Sequence, residues 1–168
     1  MPPDSVQFVV CDVDGTLTDG TIQVDTRGEE TKSFSVVDGL GIALLLRAGI
    51  DVAFLSARPS AVVERRAREL GVERCWTGVA QKRPHLERVL EERAIDARNV
   101  CYVGDDLNDI ACLRFVGFPV AVADARPEVR ACAEYTTTAR GGHGAVRELA
   151  ELVLNARGLW KELLETFS

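Results

Sequence analysis

The segment Phe8-Val9-Val10-Cys11 runs without a break into Asp12-Val13-Asp14-Gly15-Thr16-Leu17-Thr18-Asp19-Gly20. Four consecutive apolar residues predict a buried strand, and the Gly-Thr after the acids turns that strand out into a loop. Side chains alternate along a strand, so Asp12 and Asp14 share one face where the chain leaves the sheet. There they can grip one divalent cation or divide the labour of one reaction. A bare D-x-D is more often an acidic turn, so the residues downstream decide between the two readings.

A chain of 168 residues with 46% hydrophobic content suits one domain with a single core, spanning 1–168. Its net charge of −6 is spread along the chain with no basic stripe, which argues against nucleic acid as a partner. No apolar run reaches the roughly 20 residues a membrane span needs, and Met1-Pro2-Pro3-Asp4 has no signal-peptide pattern. A cytoplasmic protein is expected. The cysteines Cys11, Cys75, Cys101, Cys112 and Cys132 are odd in number, lack C-x-x-C spacing and mostly sit among apolar residues, as reduced core thiols do.

Strand and helix signals alternate along the rest of the chain. Residues 21–25 and 30–36 alternate in polarity around Thr26-Arg27-Gly28-Glu29, which predicts a β-hairpin flap over 21–36. Asp38-Gly39 offers an N-cap to a helix from Leu40 to Ala48, apolar all round and ended by Gly49. Asp51 to Leu55 is a second buried strand, ending at Ser56-Ala57-Arg58-Pro59, and a helix follows to Gly71. Next come a short strand near Arg74 to Trp76, a helix after Lys82 with Leu86, Val89 and Leu90 on one face, and a strand over 99–103. That strand stops at Gly104-Asp105-Asp106-Leu107-Asn108-Asp109. Phe118 to Val122 predicts a last strand, Pro127 opens a helix, and a tail over 140–168 carries two amphipathic helices, one through Leu149 and Val153 and one through Trp160 and Leu164. The alternation predicts a three-layer α/β fold, Rossmann-like, with a mostly parallel sheet. Ligands gather at the carboxyl ends of such strands.

Asp12, Asp14, Ser56, Lys82, Asp105, Asp106 and Asp109 all fall where a strand ends or a helix begins. Acids alone point to a magnesium site. A hydroxyl and an ammonium beside them supply the donors and the positive charge that a phosphoryl group needs. In this order, with D-V-D-G-T at 12–16, Ser56 after its strand, Lys82, and G-D-D-L-N-D at 104–109, the sequence resembles the haloacid dehalogenase superfamily of magnesium-dependent phosphatases. Within it, D-V-D-G-T-L-T-D-G, V-D-G-L-G-I at 37–42 and G-G-H-G-A-V-R-E at 141–148 resemble the capless 3-deoxy-D-manno-octulosonate 8-phosphate (KDO 8-phosphate) phosphatase family.

The resemblance implies roles. Asp12 is the expected nucleophile, forming an aspartyl-phosphate, and Asp14 the acid and base. Mg²⁺ is expected on the Asp12 carboxylate, the Asp14 backbone carbonyl and Asp105, with Ser56 and Lys82 on the transferring oxygens and Asp106 and Asp109 in support. The segments after Asp14 and after Ser56 are too short for a cap domain, so closure is expected from another subunit of a homotetramer, by the flap or the tail. Arg58 matches the KDO 8-phosphate type, where the related nonulosonate 9-phosphate phosphatases tend to have Glu, and its guanidinium suits a sugar-acid carboxylate. Arg66 and Arg140 are further candidate substrate contacts, Arg140 from a neighbouring chain. His143 has no second His or Cys at ligand spacing and reads as a loop residue. Ser56-Ala57-Arg58 departs from the family's commoner Thr-Gly-Arg. The alternatives are a phosphatase of KDN or N-acylneuraminate 9-phosphate, a receiver-like phosphoryl-binding module, and a catalytically quiet partner module.

Overall fold

A computed structural model describes residues 3–167. The strands are β1 (Phe8–Cys11), β2 (Gln23–Val24), β3 (Glu30–Thr31), β4 (Asp51–Leu55), β5 (Arg74–Trp76), β6 (Val100–Gly104), β7 (Phe118–Ala121) and β8 (Tyr135–Thr136). The helices are α1 (Val36–Arg47), α2 (Ala61–Leu70), α3 (Lys82–Glu92), α4 (Ile110–Leu113), α5 (Pro127–Arg130), α6 (Ala145–Ala156) and α7 (Trp160–Glu165). Six strands form one sheet in the order β5-β4-β1-β6-β7-β8 with every pairing parallel. The alternation of the sequence predicts this three-layer arrangement. It misses β8, an edge strand of two residues, too short to show a period.

The connections β1 to β4 to β5 move to one side of β1, and β6 to β7 to β8 lie on the other. The crevice where the order reverses therefore opens between the carboxyl ends of β1 and β6, and the D-x-D and G-D-D segments leave the sheet there. Every residue of β1 and of β6 is buried, so the two strands that carry the acids are also the centre of the core. Right-handed crossovers place α1 and α2 on one face and α3 and α4 on the other, with α6 packed along α1.

The start of α1 differs from expectation. Ser35, not Asp38, is its N-cap, accepting from the Val37 and Asp38 amides at 3.1 and 3.3 Å. Asp38 lies buried inside the first turn and caps a different helix: its carboxylate accepts from the amides of Gly144 at 3.0 Å and Arg147 at 2.9 Å, at the head of α6. The cap position of α6 is a glycine with no side chain to offer, so an acid 106 residues earlier supplies the acceptor.

The flap forms, but as a pair of two-residue strands. Its turn is held by Asp25, which accepts from the Arg27 and Glu29 amides at 2.9 Å each. β3 ends at Thr31, where its two-residue partner β2 runs out, rather than near Val36, and Ser35 already caps α1. All five cysteines are free. Cys11, Cys101 and Cys112 are buried, and burial pushes the Cys112 thiol up to about 12. Among the described residues no helix is long and apolar enough to cross a membrane.

α7 packs on its own chain. Arg47 of α1 stacks on Phe167 at 5.3 Å and bonds Thr166 at 3.2 Å, and Arg147 of α6 lies over Trp160 at 5.6 Å.

Candidate active site

Asp12 follows β1 directly, and its amide still bonds to the Val103 carbonyl of β6 at 2.9 Å. The sheet ladder thus fixes the carboxylate at the crevice. Lys82, the first residue of α3, reaches it from the side and makes a buried ion pair. The same ammonium bonds Asp109 at 2.7 Å. Asp109 is fully buried, and both its oxygens are occupied. Oδ1 accepts from Lys82 and from the Tyr102 hydroxyl at 2.6 Å, while Oδ2 accepts from the amides of Asp105 at 3.0 Å and Asp106 at 3.3 Å. It therefore shapes the loop after β6 and holds the lysine.

Carboxylate oxygens of Asp12, Asp105 and Asp109 lie within 4.8 Å of one another. With Asp109 spent on its hydrogen bonds, Asp12 and Asp105 are the pair left to hold a cation. Asp105 also accepts a long bond from the Thr16 hydroxyl, at 3.4 Å. Burial first, and then the Asp109 charge, push Asp12 well above the usual carboxylate range, although Lys82 pulls it down. The same two causes raise the Asp105 carboxyl to about 6. Burial alone would lower the Lys82 ammonium, but Asp12 and Asp109 more than offset it and raise it. Three acids around one ammonium are short of positive charge. Oxygen donors without His or Cys suit a hard divalent cation, and Mg²⁺ fits this set.

Asp12, Asp14, Ser56, Ala57, Arg58, Asp105 and Asp106 line one open cleft of about 470 Å³, with Gly20, Leu107 and Asn108. The predicted loops after β1, β4 and β6 thus meet. Ser56 is buried, its hydroxyl tied to the Arg58 amide at 3.1 Å. Asp106 caps the turn at Leu107, accepting from the Leu107 amide at 2.7 Å. Arg58 is half exposed at the rim, with Nη2 at 3.4 Å from Glu30 of the flap.

Neither Arg66 nor Arg140 lines this cleft. Arg66 lies between α2 and α1, with Nη2 where a side chain on Gly39 would stand, and near the Phe34 ring at 5.9 Å. Arg140 pairs with Asp124 of its own chain at 3.1 Å. Nor do residues of the tail line the cleft, and His143 borders a separate groove with Asp19 and residues 33–37.

The G-G-H-G segment supports the site from behind. A Cβ on Gly141 would sit 1.7 Å from the Gly15 carbonyl, and one on Gly15 would sit 2.1 Å from Asp105 Oδ2. Two glycines therefore let the tail loop pack backbone to backbone on the D-x-D-G-T loop, and that loop pack against the Asp105 carboxylate just after β6. In the same motif Glu148 accepts from the Thr138 and Ala139 amides, both at 2.9 Å, and from the Tyr135 hydroxyl at 2.7 Å, anchoring the segment that includes β8.

Sequence reasoning passed over Lys32, Glu30 and Tyr102. The Lys32 ammonium is ion-paired with Asp14 and lies 3.6 Å from Glu30, and its side chain is 0% exposed. The signal was the charged pair in Glu30-Thr31-Lys32: alternate positions of a strand share a face, and a face made of one acid and one base must meet polar partners. Tyr102 read only as core, since nothing local announces the acid its hydroxyl meets.

A family model for haloacid dehalogenase-like hydrolases matches residues 76–149. The 3-deoxy-D-manno-octulosonate 8-phosphate phosphatase of Escherichia coli (strain K12) is 43% identical over 155 residues, covering 92% of this chain and 82% of that one. Among solved structures, the phosphatase of that name from Moraxella catarrhalis, in complex with magnesium ion, phosphate ion and KDO, superposes with a TM-score of 0.97 at 38% identity, covering 99% of this chain and 95% of the other. The cobalt-bound deoxy-D-mannose-octulosonate 8-phosphate phosphatase of Haemophilus influenzae gives 0.89 at 38% identity, covering 93% and 91%. A fold with its acids at the switch point and a likeness that runs almost end to end agree, and the chain belongs to the KDO 8-phosphate phosphatase family of haloacid dehalogenase-like hydrolases.

Proposed function

We propose that this protein is a Mg²⁺-dependent phosphomonoesterase that hydrolyses KDO 8-phosphate to KDO and phosphate through an aspartyl-phosphate on Asp12. The observation that carries the reading is the buried Asp12–Lys82–Asp109 cluster beside Asp105, opening on a cleft that holds Asp14, Ser56 and Arg58. An Asp12 oxygen attacks phosphorus in line, and the bond from phosphorus to the sugar oxygen breaks while Asp14 passes its proton to that oxygen. Asp14 then takes a proton from the water that attacks phosphorus, and the second displacement returns Asp12 free with inorganic phosphate. Lys82 and Ser56 meet the charge on the equatorial oxygens. Mg²⁺ would be held by Asp12, Asp105 and the Asp14 backbone carbonyl, and would supply positive charge to offset the phosphate dianion.

The raised Asp105 carboxyl sets a pH signature. Its folded value of about 6 stands above the ordinary 3.8, so the folded chain holds that proton more tightly than the unfolded one. Metal-free stability therefore falls as pH rises between those two values, and Mg²⁺, which needs ionised carboxylates, restores most above the window. Saturating Mg²⁺ at about pH 7.5 is expected to raise Tm by roughly 5–10 °C, and clearly less at about pH 5. Thermal melts with and without Mg²⁺ at both pH values test this, and an equal shift at the two would contradict it.

Arg58 reads the sugar-acid carboxylate. Its place at the cleft rim, free to swing from a long contact with Glu30, supports the assignment. Arg58→Ala is expected to lower kcat/KM for KDO 8-phosphate by about 10–100-fold, the worth of a charge-assisted hydrogen bond, and to change little for sugar phosphates without a carboxylate. Phosphate release from KDO 8-phosphate, nonulosonate 9-phosphates and plain hexose phosphates measures this. Preference for a 9-phosphate would replace the substrate and keep the chemistry.

The protein works as one domain in a cytoplasmic homotetramer, with the open cleft closed by a neighbouring subunit. Support comes from the apolar start of α1, where Val36 is 79% and Val37 is 49% exposed, beside the groove bounded by Ser33, Phe34, Gly142 and His143. With α7 seated on its own chain, the flap is the element that reaches across. Arg140, paired with Asp124 and away from its own cleft, is the arginine that would reach the cleft of a neighbouring subunit.

A further inference from the structure

β3 is two residues long and has no apolar face of its own to hold it down. What holds the flap is a polar contact. Glu30 and Lys32 point to the same side, and the buried Lys32 ammonium costs free energy unless carboxylates answer it. They do: Asp14 pairs with it through Oδ1, and Glu30 stands at 3.6 Å. Glu30 in turn accepts from the Ser60 hydroxyl at 2.6 Å, so β3 is fastened to the loop after β4 as well. The Ser60 hydrogen bond, ahead of the Lys32 charge, holds the Glu30 carboxyl below its usual range.

The acids of D-x-D thus have separate lysines. Lys82 holds Asp12 and makes no bond to Asp14, while among the described residues the one ion pair of the Asp14 carboxylate is with Lys32. A proton donor works only when it lies within hydrogen-bond reach of the oxygen that leaves, and small misplacements are costly. We infer that Lys32 is the positioning residue of Asp14: it fixes Oδ1 so that Oδ2 faces the departing sugar oxygen. In that step the phosphorus–oxygen bond to the sugar breaks, the bond from Asp12 to phosphorus forms, and the proton moves from Asp14 Oδ2 to the sugar oxygen. Lys32 keeps its own protons throughout. The inference rests on Asp14 being the acid, as proposed above.

Leaving-group dependence tests it. A sugar alkoxide needs the proton of Asp14 to depart, whereas p-nitrophenolate leaves without one. With saturating Mg²⁺, Lys32→Met is expected to lower kcat/KM for KDO 8-phosphate by about 10²-fold and for p-nitrophenyl phosphate by less than about tenfold. In kcat/KM, which reports the first displacement alone, Asp14→Asn shows the same bias, while its loss of the base for the second displacement lowers kcat on both substrates. The double variant is no worse than Asp14→Asn on the sugar phosphate, and Lys32→Arg recovers part of the loss. Thermal melts with saturating Mg²⁺ certify that each variant is folded. Equal losses on both substrates for Lys32→Met, with the bias intact in Asp14→Asn, would overturn the role of Lys32 alone. Equal losses for Asp14→Asn would overturn the assignment of Asp14 and the inference with it.

Discussion

Asp12→Asn is expected to lower turnover of KDO 8-phosphate by roughly 10⁴-fold or more, because an amide oxygen is too weak a nucleophile to open the phosphoenzyme route. The loss is expected without unfolding. In the metal-free chain the Asp12 carboxylate is buried beside Asp105 and Asp109 and is pushed toward its neutral form. The substitution relieves that crowding, and Lys82 keeps its bond to Asp109. Thermal melts without metal should place the variant at or above the parent chain, and added Mg²⁺ should stabilise it far less. A folded, inactive variant deaf to Mg²⁺ separates the loss of a nucleophile from the loss of structure.

Lys82→Met is expected to do both kinds of damage. It leaves Asp12 and Asp109 facing each other in a site where Lys82 itself is only 2% exposed. Breaking a buried pair on one side costs about 3–5 kcal/mol, so urea unfolding should show a loss of that order in metal-free buffer near neutral pH. Activity should fall by roughly 10²–10³-fold, the usual result of removing a donor aimed at the transferring group. Adding Asp109→Asn should return part of the stability, since the Asn oxygen still accepts from the Asp105 and Asp106 amides and its NH2 group donates to the Tyr102 hydroxyl, and should return little of the activity. Unchanged stability in the single variant would mean that Lys82 is not the counter-ion of this cluster.

The places where sequence and structure agree have a common physical cause. Asp12, Asp14, Ser56 and Asp105 sit just beyond strands whose apolar runs are unmistakable, and parallel strands deliver the loops at their carboxyl ends to one edge of the sheet. Lys82 needed only a helix start near that edge. The features that escaped depend on partners distant in sequence. Asp38 carries every local mark of an N-cap for α1, yet it lies inside the first turn and its oxygens serve Gly144 and Arg147, while Ser35 does the local work. Lys32 looks like a solvated strand charge until Asp14, 18 residues back, is folded against it. Arg66 has the right chemistry for substrate, but it packs between α1 and α2 near Phe34, and Arg140, expected to act on a neighbouring chain, pairs with Asp124 in its own.

The measurement closest to the central claim starts from protein stripped of divalent metal and given KDO 8-phosphate, with released phosphate monitored as Mg²⁺ is added. Our account predicts no release in chelator, saturable release with Mg²⁺ that yields KDO and phosphate in equal amounts, and none from Asp12→Asn. Release at an undiminished rate in chelator, or no release from KDO 8-phosphate while other sugar phosphates are hydrolysed, would contradict it.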